Sequence, residues 1–198
     1  NSYKEQPYTS TRYHPLPLKD NMKISGFFQS YKYFNFCSDQ IIDLFEVPEF
    51  IDQKIINNYS MYLESNVVSI HVRRTDYLKF SNHYEVLEAS YYQRALNNFP
   101  DAEIIFIFSD DIEWCKQNLP SFGKFSVYIE GQTDVEDLWL MTKTSGNVIA
   151  NSTFSWWGAY LNKNKPTIIA PSKWFGANRT DDNALEIKDL YPENWKVI

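Results

Sequence analysis

From Val67 onward, short apolar runs alternate with amphipathic stretches: VVSIHV, YYQRALNNF, IIFIF, DDIEWCKQNL, KFSVYI, TDVEDLWLMTKT, NVIA, a Trp-rich stretch, and PTIIA. The five runs VVSIHV, IIFIF, KFSVYI, NVIA and PTIIA read as strands. Their β-branched residues are continuous rather than alternating, as suits strands buried on both faces. The intervening stretches read as covering helices, so the pattern predicts an α/β fold: a Rossmann-like parallel sheet flanked by helices. In such a sheet ligands sit beyond the carboxyl ends of the strands, which is where chemistry is expected.

Upstream, Asp39 to Phe45 and Phe50 to Glu64 have helical spacing, the second with Phe50, Ile51, Ile55 and Tyr59 on one face. Ile24 to Phe36 is dense in aromatics around Gly26 and fits either a short strand and loop packed on the core or a ligand-facing segment. The first two dozen residues carry Pro7, Pro15 and Pro17 with no sustained period, which predicts an extended, poorly packed lead-in or the stump of another domain. Residues 1–36 are therefore read as lead-in and remnant of an N-terminal half, and 37–198 as the principal domain. The chain begins at Asn1 without an initiator methionine, as expected of a processed form or an excised part of something longer.

Composition narrows the function classes. A formal charge of -6 gives no general field for nucleic acid, so the basic cluster His71 to Arg74 is a local feature. Cys37 and Cys115 make neither a disulfide framework nor a metal-ligand spacing and read as reduced thiols. No run of about 18 apolar residues and no signal pattern is present. A cytoplasmic protein is expected, with peripheral association at an inner membrane face or an anchored full-length form as alternatives.

The strand ends carry the candidate chemistry. After VVSI stand His71, Arg73, Arg74 and Asp76; a planar guanidinium fork suits a diphosphate and keeps its charge. In a strand His71 and Arg73 share one face and Arg74 takes the other, so one arginine is placed for a ligand and the other for a structural carboxylate such as Asp76. After IIFIF come Ser109, Asp110 and Asp111, equally consistent with helix capping, with Glu113 in the first turn, and with ligand contact. Thr133 to Glu136 has capping-box spacing before a helix with Val135, Leu138, Trp139 and Thr142 on one face. Asp137 in that helix either favours the dipole or accepts from a purine's N1–H and exocyclic amine. After NVIA, Ser152, Thr153 and Ser155 stand at a helix start whose amides suit a phosphate. Of Trp156 and Trp157, one is expected in the core. Asn58, Asn151 and Asn178 each open a glycosylation-type triplet, a pattern that arises readily by chance.

The strings GFFQSYKYF (26–34), SIHVRRTDY (69–77), FSDDIEWC (108–115), DLWLMTKTSGNVIANSTFSWWGAYLN (137–162) and IIAPSKWF (168–175), in this order, resemble the α1,2-fucosyltransferases. HVRRTD also resembles the arginine motif of α1,6- and protein O-fucosyltransferases. The resemblance implies the donor-binding domain of a GT-B-like inverting enzyme that uses GDP-β-L-fucose and needs no metal or other cofactor. It implies that Arg73 binds the β-phosphate, that Arg74 and Asp76 support the loop, and that His71 and Asp137 contact guanine. It further places Ser152, Thr153 and Ser155 around the phosphates and Asp110 near the ribose or base. Thr75 stands where many members have glycine, and the glycine-rich GGLGNQ-type segment that usually opens the family is absent.

The function expected is transfer of L-fucose to a galactose-type hydroxyl of a glycan acceptor in α1,2 linkage, with Arg73 and Asp76 as catalytic candidates. Asp76, Asp110 and Glu85 are candidate bases. The competing reading is a non-catalytic GDP-sugar or carbohydrate-binding module. A dehydrogenase lacks support, because no G-x-G-x-x-G follows any strand, and a P-loop motif is absent.

Overall fold

A computed structural model describes residues 2–5, 11–17, 19–176 and 187–198. Its centre is a six-stranded, all-parallel sheet of β3 (Val67–Val72), β4 (Ile104–Ser109), β5 (Phe125–Tyr128), β6 (Gly146–Val148), β7 (Thr167–Ala170) and β8 (Lys196–Val197). The strands lie in the order β5-β4-β3-β6-β7-β8. The first five are the predicted runs. The sixth is a two-residue edge strand that a sequence pattern is too short to reveal. β3 is buried along its whole length, as its unbroken apolar run requires.

Alternation along β3 and β4 sorts side chains onto two faces. Val68, Ile70 and Val72 with Ile105 and Ile107 meet α4 (Ala89–Leu96) and α5 (Ile112–Asn118) through Tyr92, Leu96 and Cys115. Val67 with Phe106 and Phe108 meets α2 (Glu49–Leu63) and α6 (Asp134–Met141) through Ile55, Leu140 and Met141. A third cluster centres on Trp156, Trp174 and Trp195, where α7 (Thr153–Tyr160) packs against β7 residues Ile168 and Ala170. Gly146 at the start of β6 makes room for Phe99 of the first cluster, since a Cβ there would lie 2.3 Å from a Phe99 ring carbon.

A polar knot ties the two wings together. The Asn147 amide donates to Ser69 Oγ (2.6 Å), Met141 O (3.0 Å) and Thr144 Oγ1 (3.1 Å). Asn162 in turn donates to Thr144 O (2.8 Å) and Asn147 Oδ1 (3.2 Å). All five residues are buried, so the network links β3, the end of α6, β6 and the end of α7 in a low-dielectric setting.

Helix expectations need two corrections. Phe50 is 72% exposed although it shares a helical stripe with Ile55, because α2 reaches the sheet through its middle and not its first turn. On α6, Val135 is exposed while Glu136, Leu140 and Met141 are buried; α6 packs against both α2 and α7, which rotates the expected face. The first segment expected as helical is α1 (Ser38–Leu44), followed downstream of β3 by the short α3 (Thr75–Lys79). The capping box forms, with Thr133 N donating to Glu136 Oε2 (3.0 Å) and Glu136 N to Thr133 Oγ1 (3.3 Å).

The lead-in is better anchored than its prolines predict. β1 (Ser2–Lys4) pairs in parallel with β2 (Lys23–Ser25), and Glu5 and Thr11 are fully buried. Glu5 Oε2 accepts from the amides of Phe27 and Phe28, both at 2.9 Å. Gly26 allows this, because a Cβ there would sit 2.5 Å from Glu5 Cβ. Cys37 and Cys115 are both free thiols.

Candidate functional site

The chain leaves β3 toward β4 and β5, then crosses back to place β6 on the other side of β3. The strand order therefore reverses between β3 and β6, and their carboxyl ends open the crevice where parallel sheets hold ligands. The residues beyond β3 are Arg73 and Arg74; those beyond β6 lead to Asn151 and the start of α7.

The register Val72↔Ser109 brings Asp110 beside the turn after β3. Asp110 Oδ1 accepts from Arg74 N (2.9 Å), and Oδ2 accepts from Thr75 N (3.0 Å) and the Thr75 hydroxyl. Thr75 thus fills its position with an added clamp. Arg73 Nε lies 2.9 Å from Asp76 Oδ1 and 3.5 Å from Asp110 Oδ2. Both contacts are made through Nε, and Arg73 also lines the cavity that opens beyond the strand ends. Beneath Arg73 sits the Tyr77 ring, 5.7 Å from the guanidinium, whose hydroxyl donates to Asn151 O (2.8 Å) and fastens the β3 turn to the β6 turn.

Arg74 goes elsewhere. Its guanidinium lies 3.6 Å from the centre of the Trp114 ring, and its Nε is 3.5 Å from Asp111 Oδ2. Alternation sends it to the opposite side of the sheet from Arg73, where these contacts hold the turn. Asp76, expected as a partner for the buried arginine, pairs with Arg73 instead. Asp111 caps α5, accepting from Trp114 N at 3.2 Å.

His71, Arg73, Asp110 and Asp137 meet around one cavity of about 170 Å³, walled by Phe108 and Phe154. His71 is buried beside Phe154, with ring centroids 5.4 Å apart, and its Nδ1 has no hydrogen-bond partner. Burial pushes its pKa down to about 4, with Asp110 opposing and Arg73 assisting, so the imidazole is neutral near pH 7. Asp137 also carries a buried, unpartnered Oδ1. Burial, then the nearby Asp134 and Glu136 carboxylates, push its pKa up to about 7. Two residues that carry buried polar atoms without partners line one cavity between aromatic walls, which suits a flat ring with hydrogen-bonding edges.

At the other lip, Ser152 is the N-cap of α7 in an extended conformation, with no side-chain capping bond. The amides of Thr153, Phe154 and Ser155 have no intrahelical acceptor in a first turn and carry the positive end of the dipole. The three hydroxyl residues separate. Thr153 is exposed, whereas Ser152 is buried and Ser155 is turned inward, its hydroxyl facing Ala150 O (3.4 Å) and Ser152 O (3.3 Å). Helical periodicity places Ser155 on the core side, so only its amide belongs to the lip.

Several residues of this arrangement escaped sequence reasoning. Phe108 follows from β4 alternation, on the same face as Phe106; Phe154, Trp114 and Tyr77 give no such signal, because their partners come from distant segments. Glu85, a candidate base, pairs with Lys173 (3.5 Å) beside Tyr91 and Arg94, away from the His71 cavity. Asn151 is fully buried, donating to Glu85 O (2.9 Å) and Trp174 O (2.8 Å), which removes it as a glycan acceptor in the folded chain. Asn58 is exposed; Asn178 lies outside the described residues. Of the two tryptophans, Trp156 is core and Trp157 half-buried. Among the described residues no group of three or more His, Cys, Asp or Glu could hold a metal ion, and no helix is long and apolar enough to cross a membrane.

The chain is 33% identical over 196 residues to an alpha-1,2-colitosyltransferase of Escherichia coli, covering 91% of this chain and 64% of that protein. It is 31% identical over 177 residues to the O-antigen biosynthesis glycosyltransferase WbnK of Escherichia coli, covering 82% of this chain and 58% of that one. Galactoside alpha-(1,2)-fucosyltransferase 1 of Bos taurus is 30% identical over 71% of this chain and 43% of its own length. The chain therefore spans about three fifths of the two bacterial relatives. The model of Glycosyl transferase family 11 matches residues 1–198 from end to end, and the chain belongs to that family.

Proposed function

We propose that this chain carries the donor site of an inverting glycosyltransferase that moves L-fucose from GDP-β-L-fucose to a galactose-type hydroxyl of a glycan, in α1,2 linkage. The observation that carries the reading is the convergence of Arg73 with two unpartnered buried groups, His71 Nδ1 and Asp137 Oδ1, at the sheet's switch point. Guanine fits between Phe108 and Phe154, donating N1–H and its exocyclic amine to Asp137 and meeting His71 at its edge. The diphosphate then passes Arg73 toward the first turn of α7. Asp110 acts through the turn it clamps.

In the reaction the acceptor oxygen attacks the fucose anomeric carbon from the face opposite GDP. The C1–O bond to the β-phosphate breaks, the electron pair stays on that phosphate oxygen, and the acceptor proton is lost to a base. Arg73 and the α7 amides stabilise the charge growing on the leaving group; preorganised donors of this kind are worth about 3 kcal/mol each. In this reading they supply the positive charge, and no divalent ion is required. Asp76 holds the Arg73 fork in place.

Titration of GDP, GDP-fucose, GDP-mannose and UDP by calorimetry, with and without EDTA, tests the reading. The expected result is guanine-selective, EDTA-insensitive binding that disappears in Arg73→Ala. Equal affinity for UDP and GDP, or undiminished GDP binding in that variant, would overturn it.

A further inference from the structure

A second cavity, of about 110 Å³, opens on the other side of the α7 start. Its walls include Phe27, Phe28, Phe34, Trp157 and Trp174, and its polar lining comes from Gln29 and Thr153 alone. Gln29 Oε1 is buried and has no hydrogen-bond partner. Phe28 sits at φ +47, in the left-handed region that an aromatic residue rarely adopts, held there by the buried Glu5 carboxylate that accepts from its amide. Strain of this kind persists only where the surroundings impose it, here through the Glu5 carboxylate. On the far side, Trp157 is fixed between Phe34 (ring centroids 5.2 Å apart, 25°) and Phe45 (5.1 Å, 18°).

The two cavities are neighbours along the chain. Thr153 lines this one and Phe154 lines the cavity of His71, Arg73 and Asp137. Consecutive Cα atoms are about 3.8 Å apart, so the first turn of α7, with its open amides, stands between the cavities. A nucleoside diphosphate sugar has the same order: ring, diphosphate, sugar. The lining also matches one particular sugar chemistry. A fully hydroxylated hexose offers polar groups to an aromatic wall, whereas a 6-deoxy sugar offers a methyl group and one apolar ring face.

We propose that this aromatic cavity seats the 6-deoxy sugar of the donor, with the C6 methyl group among the rings of Phe27, Phe28 and Trp157 and a ring hydroxyl donating to Gln29 Oε1. This rests on the donor reading above. The site thereby selects the sugar separately from the base, through Phe28 and Gln29, which lie outside the guanine cavity.

The test measures Kd by calorimetry for GDP, GDP-fucose and GDP-D-arabinose, whose sugar is fucose without its methyl group. Wild-type chain is expected to prefer GDP-fucose to the desmethyl analogue by at least about fourfold, equivalent to ~0.8 kcal/mol for one buried methyl group. Phe28→Gly removes the ring at a position where glycine relieves backbone strain, and Gln29→Leu removes the amide. Phe28→Gly is expected to erase most of the preference for GDP-fucose over the desmethyl analogue, and Gln29→Leu to weaken both GDP-sugars alike relative to GDP, while the Kd for GDP stays within twofold in each. No preference between the two sugars in wild type, a preference intact in Phe28→Gly, or unchanged affinity for both sugars in Gln29→Leu would overturn the assignment. Variants that instead weaken binding of a galactoside in the presence of GDP would place the acceptor there and equally overturn it. Loss of GDP binding in wild type would refute the donor reading itself, and this assignment with it.

Discussion

Replacing Asp137 with Asn keeps the side chain's size and removes its charge, at a carboxyl that burial and then Asp134 and Glu136 push up to about 7. A guanine edge presents two donors, which need both carboxylate oxygens as acceptors, and only the ionised form offers them. With a pKa near 7, the ionised fraction falls from about nine-tenths at pH 8 to about one-tenth at pH 6, so affinity for GDP drops about tenfold. In Asp137→Asn the charge-assisted bonds are lost, weakening GDP at pH 8 by about 2–3 kcal/mol, roughly 30- to 150-fold. The pH dependence left in the variant reports the phosphate alone. Stability moves the other way. A carboxyl with a raised folded pKa contributes stability that is present below its unfolded value of 3.8 and lost as pH rises through 7. The variant therefore melts above wild type at pH 8, and the gap closes toward pH 4. Calorimetry and thermal melts at four pH values measure both effects. A variant that binds GDP within threefold of wild type at pH 8, or a wild-type pH profile identical to the variant's, would refute the role given to Asp137.

Arg73→Lys keeps a charge but loses the fork, and turnover with GDP-fucose is expected to fall about 100-fold in single-turnover assays of the whole enzyme, a small loss instead excluding bidentate phosphate contact. Arg74→Lys forfeits the stacking on Trp114 and is expected to cost about 1–2 kcal/mol of stability in denaturant melts while leaving the Kd for GDP within a fewfold; the reverse pattern would put Arg74 in the ligand site. Asn147→Ala leaves Ser69, Thr144 and Asn162 short of partners, at about 2–3 kcal/mol or roughly a 5–10 °C lower Tm; an unchanged Tm would mean that the knot carries no net stability.

The sequence by itself determined the layered α/β plan, since runs such as VVSIHV and IIFIF can only be covered on both faces. It also determined that Arg73 and Arg74 take opposite faces, because alternation at the end of a strand is a local geometric rule. The capping box at Thr133 was legible for the same reason: its partners are three residues apart. Tertiary structure decided whatever depends on segments that are distant in sequence. Asp110, 36 residues from Arg74, became a clamp only once β3 and β4 were in register. Ser155 turned inward and Asn151 was buried because α7 docks against β7. Asp137 acquired its high pKa only when α6 was laid over the His71 face, where burial removes the water that would stabilise its charge. The aromatic cavity joins residues 27–29 to Trp157 and Trp174 across more than a hundred positions. No local period encodes that closure; it follows from which apolar surfaces remain to be covered after the sheet has formed.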